Sequence, residues 1–129
     1  MVKNHFINLS LHHFIAMDLV DHLPHFPPTT HVVEIDGAKA RTLRGFYPRI
    51  AKALIFPDYF GKNLDALSDC LSALEHIGSQ EVVLVIRHFD HFLEKEKLEK
   101  KESALQVLRY VENEKNRYDA VKFRVIGLS

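Results

Sequence analysis

Two carboxylates four positions apart, Asp65 and Asp69, lie in the stretch DYFGKNLDALSDCL over residues 58–71. On a helix, residues four apart share a face, and a like-charged pair there destabilises the isolated helix by a few tenths of a kcal/mol. The pair therefore calls for a reason beyond stability. Two acids in a cleft can divide general acid and general base work when their surroundings push their pKa values apart. Two acids on an open face can instead answer cations on a partner, or simply be solvated. The six histidines among the first 31 residues are the other chemically capable group: His5, His12, His13, His22, His25 and His31. His22 and His25 have a spacing that a helical metal site could use, but only Asp18 and Asp21 lie near enough in sequence to add ligands, so no metal or other cofactor is expected.

The surrounding sequence favours an open acidic face over an enzyme. No Gly-rich phosphate loop, paired-cysteine zinc spacing or G-x-S-x-G elbow is present. From Leu64 the apolar residues Leu64, Leu67, Leu71 and Leu74 form one stripe, with Asp65, Ser68, Asp69 and Ser72 opposite, and Asn63 in the N-cap position. The pattern predicts a short amphipathic helix that turns both aspartates outward and places Cys70 beside the apolar stripe as a small hydrophobe. Charge is uneven along the chain although it sums to zero, with 17 basic and 17 acidic residues. Residues 31–57 carry five cations against Glu34 and Asp36, whereas residues 58–75 carry four acids against Lys62. A balanced total argues against a nucleic-acid or membrane surface and leaves a local acidic spot for a cationic partner.

The elements that must hold this helix follow from periodicity and turn chemistry. At 129 residues, 47% hydrophobic and 26% charged, the chain is long enough for one well-buried core. HVVEI over residues 31–35, EVVLVI over 81–86 and AVKFRVIGL over 120–128 read as strands, the second buried on both faces. SALQVLRYVENEK over 103–115 reads as a helix with Leu105, Leu108 and Val111 inward, and Pro48 fits the first position of a helix running to about Leu54. Leu11, Ile15, Leu19 and Leu23 recur at helical spacing, so a helix is expected over residues 10–26, capped by Ser10 and stopped at Pro24. Strands separated by helical segments imply an α/β fold with a small parallel sheet. A single cysteine suits a reducing compartment, and neither a secretory signal nor a membrane span is read, so a cytoplasmic protein is expected.

With FPDYFGKNLDALSDCL set between the HVVEIDG and EVVLVI strands, and followed by SALQVLRYV and a last strand ending in Leu-Ser, the sequence resembles the barstar family of intracellular ribonuclease inhibitors. The resemblance covers residues 31–129 and implies a three-stranded parallel sheet packed with helices. Residues 1–30 would be an N-terminal extension carrying the amphipathic helix. It further implies a bacterial cytoplasmic inhibitor or immunity protein, as in toxin–antitoxin pairs, whose partner is a ribonuclease or related nuclease toxin. The protein would be a monomer that touches neither nucleic acid nor membrane directly and is not an enzyme. Asp69 matches the family's principal inhibitory acid, which mimics a substrate phosphate among the cations of the nuclease. Asp65, Tyr59, Asn63 and Gly61 match further positions of that binding surface, and Phe60 and Ser68 are included with them. The sequence departs from the family's type member at Lys62, where an acid is usual, at Ser68, where a tryptophan stands, and at Tyr110, another acidic position. The alternative is a barstar-fold binding module or regulator with a non-nuclease partner.

Overall fold

A computed structural model describes the backbone of residues 2–10 and 13–129, with side chains from Asp18 onward. Five strands form one sheet in the order β1-β2-β5-β4-β3. The strands are β1 (Val2–Ser10), β2 (His13–Val20), β3 (Thr30–Asp36), β4 (Glu81–Arg87) and β5 (Lys122–Leu128). Three α-helices accompany them: α1 (Leu43–Ala53), α2 (Leu64–Leu71) and α3 (Leu98–Tyr118). The three expected strands pair in parallel, with β4 between β3 and β5.

The N-terminal region corrects the expectation. Residues 13–20 form a strand rather than part of a helix, and β1 and β2 make an antiparallel hairpin joined to β5 by parallel pairing of Asp18–Val20 with Ile126–Leu128. The sheet is thus five-stranded, and the described residues of the extension contain no helix. Leu11 lies outside the described residues. The misreading has a simple origin: spacings of four satisfy a period of 3.6 and a period of 2 alike, so Ile15 and Leu19 fit one face of a strand as well as one face of a helix. Pairing decides between them, because β2 can bury residues on both faces of the sheet. Val20 is 2% exposed in a cluster with Val83, Val85, Ile126 and Leu128, while Leu19 packs against the main core on the other side.

Strand β4 supplies the centre. Val82, Val83, Leu84, Val85 and Ile86 are all fully buried, as an uninterrupted apolar run flanked by two parallel neighbours requires. The helix-covered face gathers Phe46, Ile50, Leu54, Leu67, Leu71, Leu74, Phe92, Leu105, Leu108 and Phe123 into one core. Phe46 meets Phe92 edge-on, with ring centroids 5.0 Å apart.

Helix α1 starts earlier than Pro48. Thr42 caps it, its Oγ1 accepting from the Gly45 amide at 3.1 Å, and Glu96 accepts from the Leu43 amide at 2.7 Å. Pro48 sits inside the helix, where it cannot donate to the Arg44 carbonyl. Both residues are exposed, so water can take that carbonyl and the helix continues. The buried residues Phe46, Tyr47 and Ile50 then outweigh the missing bond.

Helix α3 is fastened to the sheet by its polar side chains as well as its apolar ones. Glu112, 5% exposed, accepts from the Val125 amide at 2.8 Å through Oε2 and from Arg109 at 2.6 Å through Oε1. Asn116 accepts from the Phe123 amide at 3.2 Å. These amides lie on the stretch of β5 that β2 does not pair, so α3 answers an edge that would otherwise be unsatisfied.

At the C-terminal end of β3, Asp36 accepts from the Ala38 amide at 2.9 Å and pairs with His88 Nδ1 at 2.9 Å. Those contacts, the His88 bond foremost, hold its carboxyl below the usual carboxylate range. Gly37 follows, with no room for a side chain: a Cβ there would lie 2.5 Å from the Arg87 carbonyl oxygen and 2.7 Å from that of His88. Because the obstacles are backbone, Gly37→Ala is expected to force β3 and β4 apart at this end and to lower stability by roughly 1–3 kcal/mol, read as a reduced midpoint in urea unfolding.

Candidate functional site

The acidic helix is short, and its two ends are held by different devices. At its start, Asn63 Oδ1 accepts from the Ala66 amide at 2.8 Å, and the Asn63 side-chain amide donates to Gly61 O at 3.3 Å. One residue thus caps α2 and shapes the loop before it. Gly61 is close packed against this cap, since a Cβ would stand 3.2 Å from Asn63 Nδ2. Asn63→Ala should remove the cap and lower stability by about 1 kcal/mol, a shift measurable by thermal unfolding.

At the other end, the Lys115 ammonium of α3, 1% exposed, donates to Ser72 O at 3.2 Å and pairs with Asp119 at 3.1 Å. A cation placed on the last carbonyls of a helix complements its dipole. Between the ends, Leu67 and Leu71 are fully buried, with Leu74 just beyond. A helix of only 8 residues is marginal by itself, and these attachments are what hold it.

The outer face carries Asp65 and Asp69, both exposed, with Ser68 partly covered between them. None of the ion pairs among the described residues includes either aspartate. Their positions differ in energy. Asp65 lies in the first turn, where an anion is favoured by the helix dipole; Asp69 lies near the end, where it is disfavoured. Burial, and after it the Asp69 charge, raises the pKa of the neighbouring Cys70 thiol, which makes that cysteine a poor nucleophile.

Tyr59 is 86% exposed beside Asp69. Ile55, Pro57, Tyr59, Asp69 and His76 line a groove of about 440 Å³ there. On the opposite flank, Arg44, Tyr47, Lys62, Asp65, Glu96 and Lys100 line a wider groove of about 930 Å³. Phe60 departs from the expected surface: its ring is 9% exposed and packs edge-on to Tyr47 and Phe56, so it anchors the loop from within. Tyr59, Gly61, Asn63, Asp65, Ser68 and Asp69 remain together on the loop and helix. Tyr110 is 61% exposed on α3. Ile55, 68% exposed, was missed by periodicity because it lies at a helix exit. Among the described residues no group of histidine, cysteine and carboxylate side chains could hold a metal ion, and no helix is long and apolar enough to cross a membrane. The side chains of His5, His12 and His13 lie outside the described residues.

Residues 30–126 match the family described as barstar (barnase inhibitor). The chain belongs to the barstar family. Over 56 residues it is also 36% identical to a Bacillus subtilis (strain 168) protein named "Putative ribonuclease inhibitor YrdF". That alignment covers 43% of this chain and 58% of the relative, so less than two thirds of the relative's length is spanned. Barstar-family proteins are inhibitors rather than enzymes, and the family implies a ribonuclease as the general kind of partner. The family match encloses β3 through most of β5, and hence the whole of the loop and helix that carry Asp65 and Asp69.

Proposed function

We propose that this protein inhibits a barnase-type or toxin ribonuclease by inserting α2 and the loop before it into the active-site cleft, as an immunity protein does. A ribonuclease gathers cationic side chains around the scissile phosphate. Asp69 would take the place of that phosphate, with Asp65, Ser68, Asn63, Gly61 and Tyr59 forming the surface around it and Phe60 supporting the loop from the core. What carries this reading is an exposed acidic face whose two aspartates enter no ion pair among the described residues, mounted on a helix whose two ends are tied down. A rigid anionic face needs little ordering on binding, and its charges are relieved rather than displaced when cations arrive.

Such an inhibitor acts in the reducing cytoplasm of the bacterial cell that must survive the nuclease, as one protein chain against one enzyme, without a cofactor. The neutral total charge and Lys62 predict slower and less salt-sensitive association than a strongly acidic inhibitor would show. The test is a titration of the purified protein into barnase and other small secreted microbial ribonucleases while RNA cleavage is followed. Stoichiometric inhibition of at least one enzyme is expected; activity untouched across the set would favour a barstar-fold regulator of a different partner.

A further inference from the structure

Helix α1 leaves its last turn through a left-handed residue. The Leu54 amide still donates to Ile50 O at 3.0 Å, and the Phe56 amide reaches back to Ala51 O at 2.9 Å. This is the closing bond of a helix whose intervening residue has positive φ. That residue is Ile55, at φ 55°. Glycine is the usual occupant, because Cβ crowds the backbone in this conformation and a β-branched side chain is a true outlier there. Ile55 does not compensate by filling the core: it is 68% exposed, whereas Leu54 and Phe56 on either side are 0% and 8% exposed.

The other non-glycine residues with positive φ among the described residues are Lys62, His88 and Leu93. Leu93 is fully buried, and Lys62 and His88 are polar and unbranched at Cβ. Ile55 alone among these combines branching, strain and an apolar side chain in water. Backbone strain of this kind concentrates at functional surfaces. Its location is specific too, because Ile55 forms one wall of the groove whose other walls include Tyr59 and Asp69. His76 steadies that rim, with Nε2 2.8 Å from Leu54 O.

We infer that Ile55 is an apolar anchor of the inhibitory surface: a nonpolar side chain of the nuclease packs between Ile55 and Tyr59 while nuclease cations meet Asp69. This rests on the ribonuclease reading above and adds an uncharged recognition element to it. A chain of zero net charge has little long-range attraction to offer, and buried apolar area contributes affinity that salt does not screen.

Ile55→Gly and Ile55→Asn both tolerate left-handed backbone. The experiment measures the melting temperature of each free variant and its inhibition of RNA cleavage by barnase and the other microbial ribonucleases, beside wild type and Asp69→Ala. Ile55→Gly is expected to raise Tm by about 3 to 5 °C and yet to weaken inhibition roughly tenfold or more. Ile55→Asn, which keeps bulk but not apolarity, should weaken inhibition similarly. If both Ile55 variants inhibit as well as wild type while Asp69→Ala is impaired, the anchor is disproved and the ribonuclease reading stands. A Tm for Ile55→Gly that does not rise also overturns the anchor, because the side chain would then serve the fold. If wild type inhibits none of the enzymes, or Asp69→Ala inhibits as well as wild type, the ribonuclease reading fails and the anchor falls with it.

Discussion

Asp69→Ala is expected to weaken inhibition of the target ribonuclease by about 30-fold to several thousand-fold and, at the same time, to make the free protein more stable. The first half follows from desolvation. Once the acidic helix is inside a cationic cleft, removing its central carboxylate leaves nuclease cations buried and unanswered, which costs roughly 2–5 kcal/mol, a range for which barnase–barstar pairs themselves supply examples. The second half follows from three local terms of the same sign. Asp69 is an anion near the C-terminal end of α2, where relief is worth about 0.3–1 kcal/mol. It faces Asp65 one turn away, at a few tenths of a kcal/mol. Alanine is also the better helix former. Inhibition titrations and thermal unfolding on the same preparation check both halves. A variant that melts lower than wild type would mean that Asp69 holds the fold together, and the phosphate-mimic assignment would be lost.

The second large effect is on stability. Glu112→Ala removes the acceptor of the Val125 amide inside the α3–β5 contact and the partner of Arg109. Arg109 is 38% exposed and can turn to water; the amide cannot, and carries the cost. With one buried donor orphaned at about 1–3 kcal/mol and some packing lost, the expected destabilisation is about 2–3 kcal/mol, a drop in Tm of roughly 6 to 15 °C.

A pH series on Glu112→Gln tests the electrostatics of the same site. Burial raises the Glu112 carboxyl pKa, against the opposing pull of the Val125 amide and Arg109. A carboxyl raised in the folded state favours the fold most when protonated. That contribution is complete below the unfolded-state pKa and is lost as pH climbs through the raised folded value. Wild type should therefore gain on Glu112→Gln as the solution is acidified from neutrality. A gap that narrows instead would show that the Arg109 pair outweighs burial.

Much of this architecture is legible in the residues. The run Val82–Ile86 is uniformly apolar and β-branched at most positions, which fits only a strand covered on both faces, and it is fully buried. Asn63 announces the start of α2, and the leucine stripe beneath Asp65 and Asp69 says which side faces out. The N-terminal hairpin was hidden because its spacings of four serve helix and strand alike, and only pairing with β5, distant in sequence, chooses between them. Pro48 misled for a related reason: whether a proline is tolerated in a helix depends on which face it occupies, and that depends on the neighbours of Phe46 and Ile50. Phe60 and Tyr59 are adjacent and alike in kind, yet one lies in the core and the other in solvent. Composition does not separate them, whereas the aromatic nest of Tyr47 and Phe56 does.

The side chains of Asn116 and Glu112 on the open flank of β5 set a stop for the ladder. Beyond Asp18 the hairpin cannot zip further along that strand, because its donors at Phe123 and Val125 are already taken. The same arrangement denies a foothold to any stray extended segment, whether from another copy of the chain or from a misfolded neighbour. That flank of β5 is thereby guarded against fibril-like self-association.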